Sequence, residues 1–379
     1  MKIALLGCGV VGGGVVDIVK NVPDMEVKYV LVRRARPELG ELAVMDIDTI
    51  LNDKEVDTVV EVLGGLSPSF EYVSAAMKAG KNVVTANKHL VAHHYKELVS
   101  LARENNVALR CTPAVGGGIP WLKNLERVMR VNPVTEFSGI MNGTTNFILD
   151  AMYKNNADFD QVLAEAQALG YAEADPSADI DGLDIQRKCI VTANVAFGIC
   201  LKEEDVPVAG IRSVTAADIK AAREHGRVCK ILGVGKKTAE GVAAYVEPVF
   251  VPEGELEANV AANYNMISFW SEYTGKESFY GQGAGRYPTA YNAVEDCVDI
   301  QNGVKSFYTA GMANAVPDNS GVQRRYYIRT AAKSQWLESV FSEAWGQGIL
   351  TKPISVAQAH AEASRLRAID GKIFIAGVE

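Results

Sequence analysis

The sequence predicts an α/β fold built on a doubly wound, Rossmann-type parallel sheet and followed by an α+β domain. Two observations carry this prediction. Short apolar strands alternate with helical segments up to about residue 125, and a glycine-rich turn joins the first strand to the first helix. Because a strand–helix–strand repeat makes right-handed crossovers, its strands run parallel. Beyond that point the strict alternation ends, which indicates a second domain of mixed composition.

Each element of the first domain follows from a local pattern. Ile3–Leu6 is an apolar run that ends in glycines, and Val15–Val19 continues with helical spacing. Further strands are predicted over Val27–Val32, Thr58–Leu63, Asn82–Thr85 and Val107–Cys111, and further helices over Ser69–Ala79 and His94–Asn105. We therefore place a dinucleotide-binding domain over residues 1–125, with a returning segment near residues 285–310.

The second domain, predicted over residues 126–310, combines strands with long helices. The strands are Thr135–Ile140, Gly241–Val251 and Phe279–Tyr280, and the helices run through Leu169 and over Ile180–Phe197. A turn-rich seam at Pro317–Gly321 precedes a short C-terminal module over residues 322–379. Its pattern predicts, in order, a strand, two helices and a strand over Arg325–Thr330, Trp336–Trp345, Val356–Leu366 and Lys372–Ile375.

Composition and charge exclude several classes of function. Of the 379 residues, 48% are hydrophobic and 22% are charged, which is typical of a globular protein and excludes a disordered chain. The net charge of −8 has the wrong sign for a protein that neutralises nucleic-acid phosphates. No apolar run is long enough to cross a membrane, and no signal pattern is seen at the start, so we expect a cytoplasmic protein without a membrane partner. The six scattered cysteines fit a reducing compartment.

A dinucleotide site is predicted at the first strand-to-helix turn. The turn has the spacing GxGxxG, in which the first glycine permits a tight turn and the second lets the backbone approach a pyrophosphate. The third allows close packing of the helix, whose N-terminus faces the phosphate charge. Turn glycines without a ligand are the alternative, which the strand-to-helix context disfavours. The candidate residues are Gly7, Gly9, Val10, Val11 and Gly12.

The second strand indicates which nicotinamide cofactor binds. An NAD site usually ends this strand with an acid that bonds to the ribose 2′-hydroxyl, and here Arg33, Arg34 and Arg36 follow instead. Guanidinium groups can hold a 2′-phosphate through bidentate hydrogen bonds. We therefore expect NADP as the cofactor, with NAD as the alternative. The arginines could also form no more than a solvated basic loop.

The most informative stretch is the acidic block Gly170–Lys188. If the segment after Pro176 is helical, Asp181, Asp184 and Lys188 share one face. Carboxylates there could bind a substrate ammonium group, while the lysine handles the proton that accompanies hydride transfer. The alternative is a solvated helix with salt bridges along its surface. The apolar residues around these charges favour a pocket wall.

Four other features carry residues that are capable of chemistry. Lys88 follows the carboxyl end of a predicted strand, where such sheets bind ligands, although a lysine there is equally often solvated. The turn Asn142–Asn146 could offer amides and hydroxyls to a carboxylate. His93 and His94 lack a third metal ligand, and adjacent helix residues point about 100° apart. Cys111 has no histidine base nearby that would make it a nucleophile.

Taken in order, these motifs resemble those of the homoserine dehydrogenases. The resemblance extends from Met1 to about Asp299. Besides the glycine-rich turn it rests on Leu63–Gly65, Thr85–Lys88, Ala114–Pro120, Gly143–Asn146, Gly170–Lys188, Gly281–Gly285 and Pro288–Ala290. It implies reversible, NAD(P)-dependent interconversion of L-homoserine and L-aspartate 4-semialdehyde in the route to threonine and methionine. It also implies a homodimer or a homotetramer.

The resemblance assigns roles to individual residues. Lys188 matches the proton-transferring lysine, and Lys88 matches a second active-site lysine that also contacts the cofactor. The residues that match the substrate pocket are Glu173, Asp184, Asp179, Tyr171 and Thr144. Those that match the cofactor site outside the turn are Arg33, Arg34, Gly64, Lys88, Gly170 and Gly285. The alternative is an inactive regulator that senses a nicotinamide dinucleotide, which the two lysines disfavour because a sensor needs no proton-transfer group.

One departure from the family pattern concerns a cation. Family members often bind a monovalent cation through a glutamate and backbone carbonyls of the glycine-rich loop, and the glutamate position is Thr112 here. The matching carbonyls belong to Val115, Gly117 and Ile119. Because a hydroxyl holds a cation less well than a carboxylate, we expect a weakened or absent cation site.

A second departure concerns the C-terminal module, which resembles a truncated ACT domain. Arg325–Arg329 is similar to the first strand of that βαββαβ regulatory fold. We expect the remaining residues to be too few for the other elements of that fold, and Ala332–Trp336 replaces the usual acidic, Pro-Gly turn. We expect this module to pack or to make oligomer contacts rather than to respond to threonine.

Overall fold

The computed structural model describes residues 1–305, 308 and 316–379. The chain forms two compact units. The first comprises Met1–Val131, Val191–Lys202 and Gly281–Asn314, and the second comprises Asn132–Ile190, Glu203–Tyr280 and Ala315–Glu379. Among the described residues, no helix has the length and apolar character that spanning a membrane requires.

The first unit contains a parallel sheet. Its strands are β1 (Lys2–Leu6), β2 (Glu26–Leu31), β3 (Ala43–Val44), β4 (Thr58–Glu61), β5 (Asn82–Thr85) and β6 (Leu109–Arg110). The helices beside them are α1 (Val10–Val19), α2 (Ile47–Asn52), α3 (Ser69–Lys78), α4 (Lys88–Glu104) and α5 (Trp121–Met129). The strand order is β3-β2-β1-β4-β5-β6, with every pair parallel. This is the doubly wound order of Rossmann folds, which confirms the predicted fold class.

The second unit begins with β7 and continues with a run of helices. The elements in chain order are β7 (Val134–Ile140), α6 (Gly143–Asn155), α7 (Phe159–Ala168), α8 (Ser177–Ile180), α9 (Leu183–Phe197) and α10 (Ala216–Glu224). They are followed by β8 (Arg227–Lys237), β9 (Val242–Pro252), β10 (Tyr264–Ser271) and β11 (Gly275–Gln282). The next helix along the chain, α11 (Arg286–Gln301), lies in the residues of the first unit. Short 3₁₀ turns cover Pro37–Leu42, Thr112–Ala114, Glu203–Asp205 and Glu257–Asn259.

Helix α11 belongs to the first unit, where it packs on α1. A Cβ atom on Gly14 would lie 2.8 Å from the carbonyl oxygen of Arg286, so this contact requires a glycine. The Arg286 side chain pairs with Asp17 on α1 at 2.7 Å. Residues 306, 307, 309 and 310 of the predicted returning segment lie outside the described residues.

The C-terminal residues form β12 (Gln323–Arg329), α12 (Gln335–Val340), β13 (Phe341–Trp345), β14 (Gly348–Thr351), β15 (Ile354–Ser355), α13 (Val356–Arg367) and β16 (Phe374–Val378). The sheet of the second unit has the order β11-β10-β7-β8-β9-β16-β12-β14-β13, with β15 beside β12. Strand β16 pairs parallel with β9 and antiparallel with β12. The sheet of the C-terminal module therefore continues the larger sheet of this unit.

The expectation that the C-terminal module has too few elements for βαββαβ is wrong. Apart from the two-residue β15, its described elements follow that order completely. The predicted helix Trp336–Trp345 ends at Val340, and the rest is strand β13, which turns at Gly346 with a φ of 53° into β14. A positive φ favours glycine, and the turn lets Phe341–Trp345 pair with β14. Its identification as an ACT domain stays a prediction.

Two elements of the first unit differ in length from their predictions. Strand β6 is only two residues long because flanking amides bond elsewhere: the N–H of Ala108 donates to the Asn82 side chain at 2.9 Å, and that of Cys111 to the Tyr308 hydroxyl at 3.2 Å. Helix α4 begins at Lys88, before the predicted start at His94, where the backbone leaves the helical conformation with a φ of −115° and a ψ of 25°. It starts at Lys88 because the Asn87 side chain accepts a hydrogen bond from the N–H of Leu90 at 3.1 Å.

Candidate functional site

The predicted dinucleotide turn lies between β1 and α1, at the carboxyl end of a central strand. Gly7 has a φ of 97°, and a Cβ atom on Gly12 would lie 2.5 Å from the carbonyl oxygen of Gly7. Both positions therefore need glycine for the turn itself. A Cβ atom on Gly9, the N-cap residue of α1, would meet nothing within 4 Å. The backbone at Gly9 borders open space at a helix N-terminus, which fits a pyrophosphate.

The arginines that follow β2 divide into two kinds. Arg33 and Arg34 are exposed at the surface. Arg36 pairs with Glu38 at 2.5 Å, and its side chain lies 3.5 Å from the carbonyl oxygen of Cys8. Because Glu38 neutralises Arg36, the candidates for a 2′-phosphate are Arg33 and Arg34.

A buried carboxylate organises the loops at the carboxyl ends of β4 and β5. Glu61 accepts hydrogen bonds from the N–H of Leu63 at 2.8 Å and from the hydroxyl of Thr85 at 2.6 Å. The Asn87 amide donates to the carbonyl oxygen of Gly65 at 2.6 Å and lies 3.4 Å from Glu61. Sequence reasoning missed Glu61, although a lone acid ending an apolar strand was a usable signal.

This network positions two of the predicted cofactor residues. Gly64 lies in the loop held by Glu61 and has a φ of 78° with no atom close to its Cβ position. Lys88 is half-buried and is the first residue of α4, directly after the capping Asn87. Strand order reverses between β1 and β4, and in such sheets ligands bind at the carboxyl ends around this point.

The glycine-rich loop that matches the family's cation site is occupied by protein donors. The carbonyl oxygens of Gly117 and Ile119 both accept hydrogen bonds from the Asn292 amide nitrogen, at 2.5 and 3.1 Å. Thr112 is buried, and its hydroxyl donates to Asp296 at 2.7 Å. The residues present therefore do not fit a monovalent cation. Across the described residues, no group of three or more His, Cys, Asp or Glu side chains is arranged to hold a metal ion.

In the second unit, α9 carries the predicted proton-transfer lysine. Lys188 and Asp184 lie one turn apart, with 2.7 Å between Nζ and Oδ2, and both are buried. Lys188 also donates to the carbonyl oxygen of Met141 at 2.6 Å. The ion pair and this second bond fix the position of the ammonium group at the end of β7.

The side-chain amide of Asn142 joins the Asp184–Lys188 ion pair to Asp179. Asn142 caps α6 by accepting from the N–H of Thr145 at 2.9 Å. Its Nδ2 atom donates to Asp184 at 2.9 Å and to Asp179 at 2.7 Å, so it bridges the two carboxylates. We call Asn142, Asp179, Asp184 and Lys188 the charged cluster. The bridging role of Asn142 was not predicted, because its partners are distant in sequence.

The pKa of Asp179 is raised by burial and, in the same direction, by the negative charge of Asp184. Hydrogen bonds from Asn142 and Thr144 and the positive charge of Lys188 act in the opposite direction. The cluster thus contains two carboxylates and one ammonium group. A second cationic group bound there would favour the ionised form of Asp179.

The prediction that Asp181 shares a helix face with Asp184 and Lys188 is wrong. The helix breaks at Gly182, which has a φ of 85° and whose Cβ atom would lie 2.8 Å from the side chain of Val208. Asp181 instead pairs with Arg212 at 2.7 Å, with 38% of its side chain exposed.

The remaining predicted substrate residues surround the cluster unequally. Thr144 donates to the carbonyl oxygen of Tyr171 at 2.6 Å, which links α6 to the segment after α7. Tyr171 is 39% exposed, and its ring packs edge-on against Phe147. Glu173 is exposed, and Gly170 has a φ of 75° in open space. Hydrogen bonds therefore connect Asp179, Asp184 and Lys188 through Asn142, and Thr144 connects Asp179 to the backbone of Tyr171.

The alternative chemistry considered for Cys111 gains no support. Burial raises the pKa of the Cys111 thiol to about 12, so the thiolate needed for attack is disfavoured. His93 is exposed, while the His94 ring stacks on Phe70 with 3.9 Å between ring centroids.

Comparisons with known proteins cover nearly the whole chain. A family model described as homoserine dehydrogenase matches residues 120–298, and one described as homoserine dehydrogenase, NAD binding domain, matches residues 7–112. A homoserine dehydrogenase of Bacillus subtilis is 33% identical over 368 residues, which cover 90% of this chain and 85% of that protein. One of Synechocystis is 40% identical over 316 residues, which cover 79% and 73%. The crystal structure of a homoserine dehydrogenase from Thiobacillus denitrificans has a TM-score of 0.87 at 31% identity and covers 100% of this chain and 98% of that one.

Proposed function

Since the chain belongs to the homoserine dehydrogenase family, we propose that it catalyses the reversible, NADPH-dependent reduction of L-aspartate 4-semialdehyde to L-homoserine. This reaction serves threonine and methionine biosynthesis. The observation that carries the proposal is the charged cluster, in which a buried lysine is held 2.7 Å from one carboxylate and a second carboxylate is bridged to the first. An inactive, cofactor-sensing protein would have no use for this arrangement.

The cluster suits a substrate that carries an ammonium group. Asp179 and Asp184 supply two negative charges against the single positive charge of Lys188. A substrate ammonium near Asp179 compensates the second carboxylate and offsets the burial that raises its pKa. Thr144 adds a hydroxyl beside this carboxylate. We assign substrate binding to Asp179, Asp184 and Thr144, together with Tyr171 and Glu173.

Lys188 is the proposed proton donor and acceptor. When bound, the nicotinamide dinucleotide supplies or accepts the hydride. In the direction of reduction, Lys188 gives a proton from Nζ to the oxygen that becomes the hydroxyl, and in the reverse direction it takes one. Asp184 and the Met141 carbonyl orient Nζ for both directions. Lys88 is the second candidate for this proton transfer.

The proposed cofactor site uses the backbone of the first unit. Gly9 and the N-terminus of α1 would hold the pyrophosphate, and Arg33 and Arg34 would hold a 2′-phosphate, which favours NADP over NAD. The other residues assigned to the cofactor are Gly7, Val10, Val11, Gly12, Gly64, Lys88, Gly170 and Gly285. We further propose a homodimer or homotetramer in the cytoplasm.

An absorbance assay tests the proposal. NADPH and NADH consumption are followed with L-aspartate 4-semialdehyde, and cofactor reduction is followed with L-homoserine at alkaline pH. We expect turnover in both directions, faster with the phosphorylated cofactor. Absence of turnover with both cofactors in both directions would refute the proposed function, whereas activity with NADH alone would refute only the cofactor preference.

A further inference from the structure

We propose that the side-chain amide of Asn292 replaces the monovalent cation of the family, so that this protein holds its glycine-rich loop without an ion. The inference rests on family membership and on contacts within the first unit. It goes beyond the proposed reaction, because it concerns how the loop is stabilised and not which substrate is reduced.

The geometry of Asn292 is that of a bridging donor. The residue lies on α11 and is 1% exposed. Its two N–H groups serve two carbonyl oxygens, those of Gly117 at 2.5 Å and Ile119 at 3.1 Å. Ile119 also accepts from the N–H of Trp121 at 2.7 Å. Two of the three carbonyls that match the cation site are therefore bonded to protein donors.

The orientation of the amide follows from its neighbours. Turning the Asn292 group over would place its oxygen against two carbonyl oxygens, which is repulsive without a cation between them. In the present orientation, Oδ1 is buried and has no hydrogen-bond partner within the described part of the chain. An unmet acceptor is tolerated here because the nitrogen makes two bonds.

The residue at the family's glutamate position, Thr112, is bonded to a carboxylate of the protein itself. Thr112 donates to Asp296 through its hydroxyl at 2.7 Å and through its backbone N–H at 2.9 Å. Asp296 is fully buried and also accepts from Arg110 at 3.0 Å. The guanidinium of Arg110 also pairs with Glu126 at 3.1 Å and with Asp299 at 2.8 Å. The hydroxyl at residue 112 is directed to Asp296 rather than toward a cation.

The loop held by Asn292 packs on the segment that leads into α11. A Cβ atom on Gly117 would lie 2.5 Å from the carbonyl group of Gly283, and the N–H of Gly118 donates to the carbonyl oxygen of Gln282 at 3.0 Å. That segment ends at Gly285, the N-cap residue of α11 and a proposed cofactor contact. Asn292 is accordingly a positioning residue. Its neutral amide holds the loop carbonyls in place of a cation.

The first experiment measures the thermal midpoint of the wild-type protein in sodium, potassium and tetramethylammonium chloride at equal ionic strength. We expect the same Tm in all three salts. A cation site filled to saturation would raise Tm by about 2–4 °C or more in sodium or potassium alone. Such a rise in the wild-type protein would overturn the proposal. The readout needs no turnover, so its failure is separate from failure of the proposed function.

The second experiment uses Asn292→Asp, which keeps the volume but replaces the donor with an anion. Above pH 8 the carboxylate faces two carbonyl oxygens, so we expect a Tm that is about 2–4 °C higher in sodium than in tetramethylammonium. The matched control is Asn302→Asp at the exposed C-terminus of α11, which should show equal Tm in both salts. An Asn292→Asp protein without a cation response would overturn the proposal. If this variant does not fold, the wild-type comparison decides alone.

Discussion

The dinucleotide turn of the first unit and the charged cluster of the second unit are built from different materials. The turn consists of backbone within six consecutive residues, Gly7–Gly12. The cluster consists of side chains from three separate segments, at residue 142, at residue 179 and at residues 184 and 188. A backbone site is sensitive to added atoms, whereas a side-chain site is sensitive to lost charge. The two should therefore fail in different ways when they are mutated.

Apart from the loss of Lys188 itself, the largest effect that sharpens this comparison is expected from Asp184→Asn. The change keeps the shape but removes the charge that holds Lys188 at 2.7 Å. Hydrogen bonds to charged groups contribute about 1.5–3 kcal/mol, so kcat/KM for homoserine should fall roughly 10- to 150-fold. Steady-state kinetics with saturating NADP measures this loss.

The matched control is Asp181→Asn, three residues away in the same acidic block. Asp181 pairs with Arg212 at the surface, and exposed pairs contribute about 0–1 kcal/mol. We expect kcat/KM within about twofold of the wild-type value. Equal losses in the two variants would contradict the assignment of Asp184 to the cluster and of Asp181 to the surface.

The next effect concerns the turn. Gly9→Ala adds a methyl group where no protein atom lies within 4 Å, so folding should be unchanged. The methyl group occupies space assigned to the pyrophosphate, and overpacking of about 1–3 kcal/mol corresponds to a loss of NADPH affinity of roughly 5- to 150-fold. Fluorescence titration measures the affinity for NADPH, and a thermal melt checks that folding is unchanged.

Gly12→Ala is the companion variant for the turn. Its methyl carbon would lie 2.5 Å from the carbonyl oxygen of Gly7, so the protein itself must shift. We expect a lower Tm than that of Gly9→Ala. A lower Tm for Gly9→Ala than for Gly12→Ala would contradict the assignment of the open space to Gly9.

A smaller effect is expected on cofactor choice. Replacing Arg33 and Arg34 together with alanine should lower the ratio of kcat/KM for NADPH to that for NADH by about tenfold or more, because charge-assisted bonds to the 2′-phosphate are lost. Arg36→Ala is the control, since Glu38 already neutralises that guanidinium. A ratio that is unchanged in the double variant would contradict the 2′-phosphate contact.

The smallest effect on activity is expected for Lys230→Met. This second buried lysine of the second unit should affect stability instead. Lys230 donates to the Asn146 side chain at 3.0 Å and to the carbonyl oxygen of Val260 at 2.7 Å, and burial lowers its pKa to about 8. Because the unfolded chain holds this proton up to its ordinary pKa of 10.5, wild-type stability should rise with pH between about 8 and 10.5 relative to Lys230→Met. The gain is at most about 3 kcal/mol. Denaturant unfolding at pH 7.5 and 10 measures the free energy of unfolding of both proteins. A wild-type free energy of unfolding that falls relative to that of Lys230→Met between the two pH values would contradict the assigned direction.

Much of the fold could be predicted because local patterns agree with it. The glycine-rich turn and the apolar strands beside it lie close together in sequence, and β1 and β5 form where the strands were predicted. The segment Phe341–Trp345 was predicted as helix and forms strand β13. Its strand conformation depends on pairing with β14 across Gly346, which helical periodicity does not report.

The site was predictable only in part, for the same physical reason. Lys188 and Asp184 could be paired because they lie one helical turn apart. Asp181 was misplaced because a single glycine, at position 182, breaks the helix against Val208. The bridging amide of Asn142 and the buried Glu61 act on partners that only the folded chain brings together.

The most direct test of the account is Lys188→Met, measured both for turnover and for NADPH affinity, with Lys230→Met as the buried-lysine control. The account predicts turnover at least about 100-fold below wild type for Lys188→Met, because the proton-transfer group is gone. Its Kd for NADPH should stay within about twofold, and the control should keep its turnover. Near-normal turnover in Lys188→Met, or a parallel loss of NADPH binding, would contradict the claim that the proton is handled by the charged cluster and the cofactor by the backbone turn.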